Sequence, residues 1–472
     1  MLLYRRYKKG GDVMNDWAVR ISQVRVSHFM NVAGGEVRFP CILNGNISNP
    51  FRKADVLGIY GQNGSGKTAF IYCLDILKRC LSGESLSKDI GQHIQCGEKE
   101  AALDFSLVVR KDDRLANLYY SILLRRGDGD SAVIGEEKLS IKTADGRRHD
   151  IFRCVLGNGL FPRKWSSRIA GMPENPVSKI SLFAEQEVAF SQHRSFIFSK
   201  RLYELIAGYK EGLDEQDIND IDFWSVLLLY GFSGLDVIGT RDMGLINLRA
   251  FQPIHKMEDR SYGTIPLSVA EPSLVPVAIF NEVGEWVDKV NVVLTCLIPG
   301  MNLKLNNLGK ELDIRGNTVI RTELVSLRNG TEIPIRYESE GIKKILSFLQ
   351  LYIRAYNNPF MTLVVDELDA GIFEYLLGEM LSIFQESGKG QIIFTAHNLR
   401  PMEVLPKESI ICTTTDPGDR YVRLTNVKPN NNMRDCYYRA IFLGGEKKEL
   451  YQETDRNMLG FALRRAGHYG KD

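Results

Sequence analysis

The chain has 472 residues and a mass of 53.4 kDa, enough for two or three domains around a large buried core. Hydrophobic residues make up 44% and charged residues 25% of it, which excludes a disordered chain, a collagen-like chain and a small disulfide scaffold. Sixty lysines and arginines against 58 aspartates and glutamates leave a net charge of +2; a histone-like polycation is excluded, while a local basic groove stays open.

The eight cysteines include no CxxC pair, so neither a zinc ribbon nor a thioredoxin-type site is indicated. Scattered through apolar runs, they read as buried thiols of a reducing cytoplasm. No apolar run reaches the ~18 residues of a membrane-spanning helix. The basic start MLLYRRYKKGGDV lacks the apolar stretch of a signal peptide. Lys9-Gly10-Gly11-Asp12 can be encoded by a ribosome-binding sequence just ahead of the Met14 codon. Residues 1–13 are therefore expected to be either a non-native extension, with translation starting at Met14, or a disordered basic tail.

In chain order, Ala18–His28 alternates as a strand, and Asp55–Tyr60 is a short apolar strand running into a glycine-rich loop. Thr68–Leu81 reads as a helix closed by Ser82-Gly83. Ala101–Arg110, Leu118–Arg126 and Lys138–Thr143 read as antiparallel strands. Ser195–Lys210 and Asp217–Tyr230 read as helices, Leu245–Ile254 and Gly263–Val269 as strands, and Val277–Leu297 as a helix. Met301–Ile320 suggests a strand pair turning at Arg315-Gly316-Asn317. Helix Gly341–Tyr356, strand Met361–Val365, helix Ile372–Gln385 and strand Gln391–Thr395 follow; the last three form a βαβ unit, which calls for a parallel sheet. There is no internal repeat and no sustained heptad pattern.

Gly61-Gln62-Asn63-Gly64-Ser65-Gly66-Lys67-Thr68 fills GxxxxGK[ST] between a strand and a helix. Glycines let backbone N–H groups converge on phosphate oxygens, and the helix adds its positive N-terminal end. Lys67 is expected to reach the β- and γ-phosphates of ATP, and the Thr68 hydroxyl to bind Mg²⁺.

The apolar strand ending in Asp366-Glu367 places two carboxylates where burial is costly unless a cation or water compensates. Asp366 is expected in the Mg²⁺ shell and Glu367 as the group that orients the attacking water. The spacing separates classes of phosphate-loop protein: Asp366 follows Lys67 by 299 residues, which needs an inserted module. No NKxD follows the loop, so a GTPase is not indicated.

Ser339-Glu340-Gly341 opens a helix 25 residues before Asp366. Leu368-Asp369-Ala370-Gly371 follows the carboxylates, and Gln391–Thr395 runs on into Ala396-His397. These segments resemble the signature motif in its divergent S-x-G form, the D-loop and the switch histidine of ABC-type ATPases. The order strand, P-loop, antiparallel lobe, insert, signature helix, acidic strand, histidine resembles the RecF, SMC and OLD-like group. It especially resembles the compact ATPases of bacterial anti-phage defence systems, such as the PARIS ATPase subunit.

The resemblance implies an α/β P-loop fold of ABC-ATPase type with an antiparallel β lobe, an inserted α/β lobe and no long coiled coil. It implies that Ser339, Glu340 and Gly341 act in trans on ATP held by a second copy, that Asp369 crosses that interface, and that His397 contacts the γ-phosphate. The Q-loop glutamine is expected to be Gln186, after the antiparallel strands. The expected domains are 14–190 and 336–410 for the two halves of the ATPase head, 191–335 for the insert, and 411–472 for a C-terminal extension.

The 75 residues after His397 are too few for the Toprim nuclease of OLD proteins, so a separate effector, nuclease or toxin, is implied. Asn426–Leu443, with Tyr437, Tyr438 and Arg439, is either a docking surface or a helix packed on the core. The pairs Lys343-Lys344, Arg125-Arg126 and Arg147-Arg148 could line a DNA groove or be solvated. The functional expectation is a cytoplasmic ATPase whose ATP-driven homodimerisation gates an effector in anti-phage defence. The alternatives are a RecF-like DNA-repair ATPase and an ATP-dependent sensor scaffold that does not touch DNA.

Overall fold

The structure, a computed structural model, describes residues 17–43, 50–51, 53–127, 129–143, 146–156, 176–208, 213–239, 245–248, 265–425, 432–442 and 448–467. The expectations for residues 1–13, for the start site at Met14 and for parts of Leu245–Ile254, Gly263–Val269 and Asn426–Leu443 lie outside the described residues.

The chain opens with the hairpin β1 (Trp17–Phe29) and β2 (Val32–Arg38), then α1 (Pro40–Leu43), β3 (Asp55–Tyr60) and α2 (Lys67–Ser82). β4 (Glu100–Lys111), β5 (Arg114–Arg126), β6 (Ala132–Thr143) and β7 (His149–Val155) form a meander. α3 (Pro176–Ser191), α4 (Lys200–Gly208) and α5 (Glu215–Ser233) lead to β8 (Leu235–Ile238). The inserted lobe holds β9 (Leu245–Leu248), β10 (Ile265–Ser268), β11 (Ser273–Pro276), α6 (Phe280–Leu297), β12 (Met301–Leu312), β13 (Thr318–Arg328) and β14 (Thr331–Pro334). There follow α7 (Glu340–Asn357), β15 (Thr362–Val365), α8 (Glu374–Ser387), β16 (Gln391–Thr395), α9 (Arg400–Val404), β17 (Ile410–Thr413) and β18 (Tyr421–Val422), then α10 (Met433–Phe442) and α11 (Arg456–Gly467).

Two six-stranded sheets organise the chain. The first is antiparallel, in the order β2-β1-β4-β5-β6-β7. The second runs β18-β17-β3-β16-β15-β8 and is parallel except for β18. The central strands of the parallel sheet are apolar throughout because both faces are covered. Leu57, Ile59, Val364 and Ile393 face a core shared with α2, α5 and the antiparallel sheet. Val56, Leu363, Val365, Ile392 and Phe394 face a second core with α7, α8 and the inserted lobe. This is the period-two alternation of a strand, with an apolar layer on each side.

The lobes are joined by buried polar contacts. The Gln391 amide accepts from Ile21 N at 3.0 Å and donates to Ile21 O and to Asp55 Oδ2, each at 2.8 Å. The Arg20 guanidinium donates to Pro359 O at 2.9 Å. Burial raises the Asp55 carboxyl while Arg20 pulls it back down.

The sheet pairing corrects two expected boundaries. β8, from the segment expected as insert, hydrogen-bonds β15 within the parallel sheet, and β17–β18 extend that sheet past residue 410. Strand pairing decides this, since a four-residue apolar run carries no local mark of its sheet. The expected strand pair of the insert stands as β12 and β13, paired antiparallel, with β11 and β14 along β13. All eight cysteines are free thiols, and no described helix is long and apolar enough to cross a membrane.

Candidate nucleotide-hydrolysis site

β3, β16 and β15 lie side by side and end in register, Ile59 opposite Thr395 and Phe394 opposite Val365. The phosphate loop, His397 and Asp366-Glu367 therefore leave the sheet at one edge. The carboxyl ends of parallel strands are where an α/β sheet opens its binding crevice.

The loop is fixed by its glycines. Gly64 and Gly66 hold φ of +78° and +95°, the left-handed region that costs glycine nothing. At Gly61 a Cβ would lie 1.7 Å from Thr413 Oγ1. Ser65, buried, donates to Gln62 O at 2.6 Å, and Asn63 is exposed at the loop's tip. The Lys67 ammonium donates to Gly61 O at 2.7 Å and Gln62 O at 3.0 Å. Burial lowers its pKa, and Asp366, Glu367 and Asp369 pull it back up. A buried cation held by loop carbonyls, in the field of three carboxylates, is suited to a polyanion that arrives with its own counter-ion.

Asp366 is buried and accepts from Thr395 Oγ1 at 2.6 Å. The same hydroxyl accepts from Glu367 N at 2.7 Å, fixing the backbone of Glu367 at φ +49°. Thr68 is exposed on the first turn of α2. Among the described residues no three His, Cys, Asp or Glu side chains are grouped to cage a metal. Mg²⁺ takes one or two protein ligands and fills its shell with phosphate oxygens and water; Asp366 and Thr68 fit that donor set.

Asp369 holds the loop after β16, accepting from His397 N at 2.9 Å and Asn398 N at 2.7 Å. The His397 side chain is exposed. Ser339 caps α7, accepting from Ile342 N at 3.4 Å, and both Ser339 and Glu340 are exposed. Gly341 packs on the D-loop: a Cβ there would sit 1.9 Å from Gly371 O. Lys344, one turn on and buried, donates to the carbonyl of Glu367. Burial brings its pKa down to about 8, against the pull of Asp369, Glu367 and Asp366. Helix α7 is thus tied to the backbone of Glu367 in its own subunit.

No family model matches the chain, and no curated protein matches it. Among solved structures it is similar to an Smc head domain derived from Pyrococcus furiosus, bound to the C-terminal domain of ScpA, at 14% identity and TM-score 0.38, covering 86% of this chain and 96% of that one. The SMC head domain from Thermotoga maritima gives 13% identity and TM-score 0.34, covering 86% and 99%. RecF bound to ATPrS gives 14% identity and TM-score 0.35, covering 88% and 100%. These likenesses are distant, and the reading of the site stands on its own geometry.

Gln186 is not brought to this site. It is buried on α3 and donates to Cys154 Sγ at 2.8 Å. Cys154 lies on β7, at the opposite edge of the antiparallel sheet from β2, the strand beside the phosphate loop. The run Ser181–Gln186, expected after the strands, is helical and turns the glutamine inward. Of the residues in the basic pairs that could line a DNA groove or be solvated, all but Arg147, which is exposed, are engaged within the chain. Lys343 pairs with Glu340 at 2.8 Å, Arg125 with Glu100 at 2.7 Å, Arg126 donates to Ile94 O at 2.9 Å, Arg148 lies 3.9 Å from the Tyr119 ring centroid, and Lys344 is buried. In the C-terminal segment Tyr437 packs on the core, whereas Tyr438 and Arg439 are exposed.

Sequence reasoning missed Asn31, Arg420 and Tyr421. The Asn31 amide donates to Gly64 O, Tyr421 Oη donates to Gly66 O at 2.8 Å, and Arg420 donates to Asn31 O at 2.7 Å. These residues buttress the phosphate loop from the β1–β2 turn and from the start of β18, far apart in sequence.

Proposed function

We propose that the chain is an ATP-binding and hydrolysing ABC-type ATPase whose head-to-head dimerisation gates a separate effector, in anti-phage defence. The observation that carries this is the common edge of β3, β16 and β15, from which the phosphate loop with Lys67, Asp366-Glu367 and His397 all emerge.

In this reading the loop N–H groups of Gly61, Asn63, Gly64, Ser65 and Gly66 hold the phosphates, and Lys67 neutralises the β- and γ-oxygens. Thr68 and Asp366 hold Mg²⁺, which supplies charge neutralisation at the transferring phosphoryl group. Glu367 orients the attacking water, and His397 contacts the γ-phosphate. Ser339, Glu340 and Gly341 meet the ATP of the second copy, with Asp369 at the same interface. The γ-phosphate is then the contact that exists only in the closed state, and it selects that state. The exposed Tyr438–Phe442 stack, ring centroids 6.1 Å apart, is the surface assigned to the effector.

The test is light scattering on Glu367→Gln with and without Mg-ATP. A mass that doubles only with ATP supports the sandwich; a mass indifferent to ATP removes it. Lys67→Ala should weaken ATP binding about 100-fold, the worth of a charge-assisted contact at a buried site. Ser339→Arg should bind ATP as a monomer and fail to close.

A further inference from the structure

Lys344 is buried where an apolar side chain would cost the fold less. It lies one turn into α7 and is 4% exposed, and an ammonium taken out of water without a carboxylate partner recovers little of its hydration energy. Among the described residues it makes no ion pair, and its Nζ donates to the backbone carbonyl of Glu367. That carbonyl belongs to a strained residue. Glu367 holds φ of +49°, a left-handed conformation that is rare outside glycine and persists only where the surroundings enforce it.

The enforcement comes from both sides of the residue. Glu367 N donates to Thr395 Oγ1 at 2.7 Å, and Glu367 O accepts from Lys344 Nζ and from Ala370 N, the latter at 3.0 Å. The first bond holds the peptide plane before Glu367, and the other two hold the plane after it. Two planes held in this way set the direction of the Cα–Cβ bond, and with it the point from which the carboxylate starts. Ala370 lies three residues on in the same turn and moves with it. Thr395 and Lys344 hold Glu367 from β16 and α7, elements with their own places in the core. We propose that Lys344 is a positioning residue for ATP hydrolysis, holding the backbone of Glu367 so that its carboxylate is aimed for the attacking water. This rests on the reading above, in which Glu367 orients that water. Stability given up to hold a working group is a recurrent trade in enzymes, and it accounts for a lysine at this place on α7.

The experiment uses the full chain and measures phosphate release, fluorescent-ATP binding and thermal melting for Lys344→Met, Glu367→Gln and the double variant. Lys344→Met should lower turnover about 100-fold, the scale of a reacting group displaced by about 1 Å. ATP affinity should change far less, and the melting temperature at neutral pH should not fall; a merely structural lysine would lower all three together. In the Glu367→Gln background the same substitution should cost almost nothing more, because the group that Lys344 positions is already disabled. Parent turnover in Lys344→Met overturns the proposal. A loss that recurs at full size in Glu367→Gln also overturns it, since the ammonium would then act independently of Glu367. Equal losses of ATP binding and turnover overturn it as well. A parent chain that binds ATP and releases no phosphate overturns the hydrolysis reading itself, and this role falls with it.

Discussion

Asp369 and His397 are joined through the backbone: one oxygen of the Asp369 carboxylate accepts the N–H groups of His397 and Asn398, at 2.9 and 2.7 Å. The D-loop thereby sets where the histidine loop stands. Asp369→Ala should lower the ATPase turnover about 100-fold, the cost of misplacing a catalytic group by about 1 Å, with ATP affinity nearly unchanged. Asp369→Asn keeps one acceptor oxygen for both donors and should recover most of the rate. Phosphate release and fluorescent-ATP binding check both; equal loss in the two variants would assign Asp369 its charge alone.

Gly341 and Gly371 touch backbone to backbone, with no room for a methyl group. Gly341→Ala must push the D-loop away from α7, at a cost of about 1–3 kcal/mol in stability. ATP binding at the phosphate loop should survive, and ATP-driven closure should not. Thermal melting and light scattering read the two effects separately.

Lys344 gives a pH dependence whose sign is fixed. Its pKa falls from 10.5 to about 8 on folding because of burial, so over that range the unfolded chain binds more protons than the folded one. Stability then rises with pH through this window, and the cost of the buried cation is present in full below it. Lys344→Met removes that cation, so its stability relative to the parent should be greatest near about pH 7 and decline toward about pH 9.5. Melting temperatures across that range test it, and a constant difference would reject the assignment.

Gln391 closes the seam between the two sheets. Gln391→Leu leaves Ile21 N, Ile21 O and an Asp55 oxygen without their shared partner. About 1–3 kcal/mol for each unsatisfied buried group puts the total at several kcal/mol. Urea unfolding should show the midpoint falling with little change in slope.

Much of this site was legible in the sequence because its parts are dense in local constraint. The phosphate loop needs glycine at positions where φ is positive, and β3 and β16 read as apolar runs because both faces are buried. β2 (VAGGEVR) carried no such mark: Gly34 and Gly35 are there because Gly418 O and the Tyr421 ring occupy the space of a Cβ. β8 and β17, four residues each, acquire their place only by pairing with strands over 100 residues away in the chain. Lys344 read as half of a basic surface pair, because a helix shows which side faces inward only once its neighbours are known. Gln186 failed for the same reason.

The position of β3 bears on how the chain is made. Its neighbours in the sheet are β16 and β17, and β16 begins 331 residues after β3 ends. At about 5–20 residues per second, roughly 15–70 s of synthesis pass before that strand can find either partner. During that interval the β1, β2, β4–β7 sheet and α2 can already assemble, since all of them lie within residues 17–155. The half-built head thus holds the phosphate-loop strand against one finished layer, with its sheet edges open, until the ribosome delivers the acidic strand and the histidine. The residues of the proposed hydrolytic site are brought together only late in synthesis.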